Sequence, residues 1–137
     1  MSKSNKSRKT KLDTLFSQYI RRKYADRRGF VYCYTCGTAK PIAEMQNGHF
    51  HSRRHLSTRY EEKNCRPQCY GCNVINGGKK DVFRTRLEAE IGERGMKELN
   101  KLKEKLIKDF PYDDFITLYT QKLKQLDTPV QTFSDHV

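Results

Sequence analysis

The sequence predicts a mainly helical protein around a small, irregular β-hairpin, stapled by a four-cysteine zinc site. Three observations carry this. Apolar residues recur at helical spacing in four separate stretches. Two Cys-x-x-Cys pairs, Cys33/Cys36 and Cys69/Cys72, bracket a segment with only short strand-like runs. The hydrophobic fraction is 35% against 32% charged, a lean core for 137 residues, and such a core gains most from a staple. The length suits one compact domain.

Residues 1–10 are mostly Ser, Lys, Asn and Arg and predict a disordered basic tail. Leu12, Leu15, Phe16, Tyr19 and Tyr24 then share one face of a helix over about 11–27, ended by Gly29. Phe30-Val31-Tyr32 is a short strand-like run, and 42–52 reads as a hairpin strand. Residues 53–63 have no clear period and read as a loop. A helix begins near the second cysteine pair and is interrupted by Gly77-Gly78. Val82, Phe83, Leu87 and Ile91 form a further helical face, punctuated by Gly92 and Gly95. Met96, Leu99, Leu102, Leu106 and Phe110 make a stripe stopped by Pro111. Asp113 is placed to cap a last helix with Phe115, Leu118, Tyr119, Leu123 and Leu126 on its apolar face. The organisation is a tail (1–10), an N-terminal helix with the zinc-stapled core (11–92), a helical C-terminal extension (93–127) and a second tail (128–137).

Lys and Arg number 28 against 16 Asp and Glu, a net charge of +12, which favours a polyanionic partner. No apolar run follows the basic start as in a signal peptide, and no segment reaches membrane-spanning length, so a cytoplasmic protein is expected. Disulfides are rare there, and the cysteines need another explanation. Cys33, Cys36, Cys69 and Cys72 have the spacing of a tetrahedral zinc site with two thiolates from each turn. Four cysteine ligands leave no open position, so this zinc is structural. Cys65 falls off the paired spacing and reads as a buried thiol.

Between and beside the cysteine pairs lie Gly48-His49-Phe50-His51, Asn64 and Asn73. Cys33 and Cys36, Gly48-His49-Phe50 with Ser52-Arg53, Asn64, Gln68-Cys69, Cys72-Asn73 and a helix ending Glu90-Ile91-Gly92 occur in an order that resembles the HNH (ββα-metal, His-Me finger) endonucleases. The family it resembles within that class is the NinG (Rap) recombination endonucleases of lambdoid phages, over about residues 30–92 and more faintly to about 126. The resemblance implies a ββα-metal core and a DNA endonuclease. His49 is then the general base; an imidazole whose unperturbed pKa is about 6.5 suits that task near neutral pH. Asn64 holds the imidazole or the surrounding loop. Asn73 offers its carbonyl oxygen to a catalytic Mg²⁺ or Mn²⁺, hard ions that prefer oxygen ligands. Many HNH enzymes carry Asp or His immediately before the base, where this chain has Gly48. The second ligand is therefore open, with His51, two residues along the strand, and Asn76 as candidates.

Read from residue types alone, Asn64 is equally a turn residue, Asn73 a helix cap and His49 a surface histidine. Arg53, Arg54, Arg59, Arg66, Lys79 and Lys80 are the expected DNA-binding cations. Nothing resembles a base-reading helix. With the resemblance, this points to branched recombination intermediates such as Holliday junctions or D-loops, cut in the host cytoplasm if the chain is phage-encoded. A non-catalytic zinc-stabilised nucleic-acid-binding protein and a site-specific HNH nicking or restriction enzyme are the alternatives. Two opposed cuts suit a homodimer, and the stripes at 96–126 either form its interface or pack within one chain.

Overall fold

The computed structural model describes residues 3–127. In order these form α1 (Lys3–Lys23), β1 (Phe30–Tyr32), β2 (Ala39–Pro41), β3 (Gln46–His49), α2 (Leu56–Arg59), β4 (Cys65–Gln68), a π-helical turn (Gly71–Ile75), α3 (Lys80–Lys103) and α4 (Tyr112–Asp127). The chain is thus mostly helical, with two separate two-stranded antiparallel sheets. β1 pairs with β2, and β3 pairs with β4 in a register that sets His49 opposite Cys65 and Gly48 opposite Arg66.

α1 begins earlier than the sequence predicts. Residues 3–10, read as a disordered tail, are its first turns. Tertiary contact supplies what composition lacks: Arg8 bonds Asn5 on its own face and reaches Asp113 at the start of α4, 3.1 Å away. At the other end Arg22 pairs with Asp127. The two helices therefore run parallel. Between them Phe16 meets Tyr119 edge-on at 4.9 Å, within a core that also holds Leu12, Ile20, Tyr60, Cys65 and Leu123. The C-terminal extension thus closes back on the N-terminal helix.

A second cluster joins Val31 and Met45 to Cys33, Cys69 and Cys72. A third packs Phe50 against Phe83, Leu87, Met96 and Leu99. The buried members of both C-terminal stripes therefore pack within one chain. The first stripe ends sooner than its period suggests. α3 stops at Lys103, Leu106 is 94% exposed, and Phe110 sits in the α1–α4 cluster through its contacts with Tyr60, Tyr112 and Phe115. Gly92, at φ 78°, kinks α3, whereas the buried Gly95 continues it. Asp113 lies in the first turn of α4 instead of capping it. Residues 53–63 are not simply loop, since they contain α2. The second predicted tail, 128–137, lies outside the described residues.

Candidate functional site: a four-cysteine centre beside a histidine cleft

The turn after β1 and the turn after β4 bring Cys33, Cys36, Cys69 and Cys72 together, with one sulfur of each within 4.8 Å of every other. Cys36 Sγ and Cys69 Sγ are 3.7 Å apart. Four sulfurs about 2.3 Å from a shared ion stand about 3.8 Å from each other, so the cluster fits a tetrahedral zinc. Burial alone would raise the Cys33 thiol. Hydrogen bonds from the Thr35 hydroxyl and from the backbone N–H groups of Cys69, Thr35 and Cys36 outweigh it and bring the thiol to about 6. Burial meanwhile pushes Cys72 up to about 12, so a thiolate at Cys72 needs a cation beside it. Cys65 is fully buried away from this cluster, and burial raises its pKa.

The centre is wired to the β3–β4 hairpin. Thr35 Oγ1 lies 3.5 Å from Cys33 Sγ and accepts from Gln68 Nε2 at 3.1 Å. The same amide nitrogen donates to the Gly78 carbonyl, and the Tyr34 N–H donates to the Pro67 carbonyl. Gln68 also closes the position before the histidine: a Cβ on Gly48 would stand 2.0 Å from Gln68 Oε1. An Asp or His ligand there has no room, which accounts for the glycine.

His49 ends β3 and lines a cleft of about 530 Å³ that also presents Gln46, Asn47, Asn73, Arg53 and Asp13. Its Nε2 is 2.9 Å from the Arg59 carbonyl oxygen. A carbonyl only accepts, so Nε2 carries the proton and Nδ1 is the basic nitrogen. Burial lowers the imidazole to about 4, leaving it neutral at pH 7. Asn73, in the π-helical turn, gives its amide nitrogen to Gln46 Oε1 at 2.7 Å, which leaves its carbonyl oxygen as a potential cation ligand. Asn47 Oδ1 is buried without a hydrogen-bond partner. Gln46, Asn47 and Asn73 line the cleft, and amide oxygens are of the kind that suits a hard divalent cation.

Other predicted residues sit differently. Asn64 is fully buried and does not touch the imidazole. It accepts from the His51 N–H at 2.8 Å and donates to the His51 and Thr58 carbonyls at 3.0 Å each, so it holds the loop. His51 does not share a face with His49, because the strand stops at His49; its Nε2 is 2.8 Å from Asn100 Oδ1, and it does not line the cleft. Asn76 donates to the Gly71 carbonyl, also outside the cleft.

Four of the six expected DNA-binding cations are engaged with protein acceptors, Arg53 only through a long bond of 3.4 Å from its Nη2 to Asp13 Oδ2. Arg59 forks onto Asp13 at 2.9 and 2.7 Å. Arg66, buried between Tyr24 and Tyr34, forks onto Glu90 at 3.2 and 3.0 Å and donates to two backbone carbonyls. Lys80 donates to the carbonyls of His49 and Phe50. Arg53, Arg54 and Lys79 are exposed. Sequence reasoning missed Asp13, Gln46 and Asn47. Asp13 is the one acidic residue in α1, which is the only signal it offered.

Fold and centre together define a mainly helical protein with a four-cysteine, metal-competent knuckle set against a histidine cleft. The NinG family model, described as bacteriophage lambda NinG protein, matches residues 1–128, and the chain belongs to that family. Membership suggests a phage recombination-related function. No curated protein matches the chain, and no solved structure does. No helix among the described residues is long and apolar enough to cross a membrane.

Proposed function

We propose that the chain is a metal-dependent DNA endonuclease of the HNH type that cuts branched recombination intermediates such as Holliday junctions or D-loops. One observation carries the reading: a neutral imidazole, His49, lines an oxygen-rich cleft with its Nε2 proton committed to a carbonyl. The β3–β4 hairpin, with α2 inserted between its strands and helical segments after it, is compatible with a ββα-metal core and supports the reading.

In this mechanism His49 Nδ1 takes the proton from the attacking water, and the Arg59 carbonyl steadies the imidazolium that results. Asn73, with Gln46 and Asn47, would hold Mg²⁺ or Mn²⁺. Such an ion supplies charge stabilisation at the phosphate and leaving oxygen. Arg53 at the rim of the cleft, with Arg54 and Lys79 elsewhere on the surface, contacts phosphates. The four-cysteine centre carries structural zinc and takes no part in the reaction.

The test incubates the zinc-loaded protein with labelled four-way junctions, D-loops and linear duplex, with Mg²⁺, Mn²⁺ or chelator. Metal-dependent cutting that favours the branched substrates is the expected result. Equal cutting of linear duplex at one site would indicate a site-specific nicking enzyme. Binding without cutting under every metal would leave a zinc-stabilised DNA-binding protein.

A further inference from the structure

We propose that Asp13 of α1 is a positioning residue for His49: by clamping the Arg59 guanidinium it fixes the carbonyl that holds the Nε2 proton, and so decides which ring nitrogen is free. The catalytic consequence rests on His49 being the base.

The contacts form an unbroken series. Asp13 Oδ1 accepts from Arg59 Nε at 2.9 Å and from the Tyr60 hydroxyl at 2.6 Å, while Oδ2 accepts from Arg59 Nη2 at 2.7 Å and, more distantly, from Arg53 Nη2 at 3.4 Å. Arg59 Nη1 donates to the Arg53 carbonyl at 2.8 Å, tying off the loop that leads into α2. The guanidinium is thus held on both sides. Arg59 is the last residue of α2, and a carbonyl at a helix C-terminus has no intrahelical partner. It accepts instead from His49 Nε2, 2.9 Å away, and more weakly from the Cys65 thiol at 3.9 Å. A planar fork on a carboxylate allows little rotation, so an Arg59 side chain held at its far end restrains the end of α2 and with it the position of this carbonyl.

A purely stabilising ion pair is the competing explanation. Half-buried pairs are weak stabilisers that apolar residues often replace without loss. This pair also lies in the wall of the cleft that presents His49, not in a sealed core. Asp13 is 46 residues from Arg59 in sequence, so the first helix is part of the site's framework.

The test compares wild type, Asp13→Asn and Arg59→Lys, each checked for zinc content and helicity. Asp13→Asn keeps the shape and removes the charge. Arg59→Lys keeps the charge and removes the fork, and it serves if the first variant does not fold. Long-range ¹⁵N NMR at neutral pH reads the tautomer of His49. Wild type should show the Nε2–H form alone, and the folded variants a mixture with the Nδ1–H form. On a four-way junction kcat should fall about 10²-fold with KM little changed, the cost of a misplaced catalytic group. A single unchanged tautomer with wild-type kcat in a folded variant would overturn the proposal. If wild type cuts no substrate, the nuclease reading fails, while the tautomer measurement still decides whether Asp13 sets the ring.

Discussion

At the scale of single residues, the cleft is defined as much by what it excludes as by what it presents. Gly48 leaves no room for a side chain because Gln68 Oε1 occupies the space. Gly48→Asp, which would install the more usual HNH ligand, should destabilise the protein by at least about 1–3 kcal/mol, as overpacking does; urea denaturation measures it. The cations divide just as sharply. If the DNA reading holds, Arg54→Ala and Lys79→Ala should each lower the salt slope of junction binding by about one. Arg66→Ala should lower stability instead, since its guanidinium holds Glu90 and two carbonyls. None of this partition was legible in the sequence. Asp13 and Glu90 lie 46 and 24 residues from the arginines they engage, and a run of basic residues does not reveal which of them already have partners.

At the scale of elements, α1 and α4 depend on each other. Phe16→Ala should cost about 3–5 kcal/mol, as expected for a fully buried aromatic. Leu118→Ala, on the exposed side of α4, should change stability by less than about 0.5 kcal/mol. Thermal melts of the two variants separate these. Glu62 fastens the pair from outside. Burial would raise its carboxyl, but hydrogen bonds from Lys122, Tyr119 and Lys23 outweigh that and hold it below the usual glutamate value. A carboxyl depressed by folding contributes fully above its unfolded pKa and loses that contribution as pH falls through the folded value. Wild type should therefore lose stability steeply below about pH 4, and Glu62→Gln should flatten that acid limb. Helical period located most of the apolar faces. It overran at Leu106 because a stripe says which residues could pack, not where the chain turns away. It fell short at residues 3–10 because the partners of Arg8 include a residue at the far end of the sequence, Asp113.

At the scale of the whole molecule, the four-cysteine centre joins elements that have little else to hold them. β1, the segment before β3 and the turn after β4 share one small cluster through Val31, Met45, Cys33, Cys69 and Cys72. Chelation, or Cys69→Ser, should therefore lower the melting temperature by tens of degrees, and Cys65→Ala should leave the zinc content unchanged. This frame was the most legible part of the chain, because Cys-x-x-Cys pairs act through local geometry. The cleft was half legible: His49 and Asn73 come together as their order suggested, while Asp13 arrives from a helix no motif marks. The central claim is that His49 is the base of a DNA-cutting site. The most direct measurement is cleavage of a labelled four-way junction by zinc-loaded wild type and His49→Ala in Mg²⁺ or Mn²⁺. The account predicts that the variant keeps its zinc and its fold and cuts at least about 10²-fold more slowly. A variant that cuts as fast as wild type would contradict it.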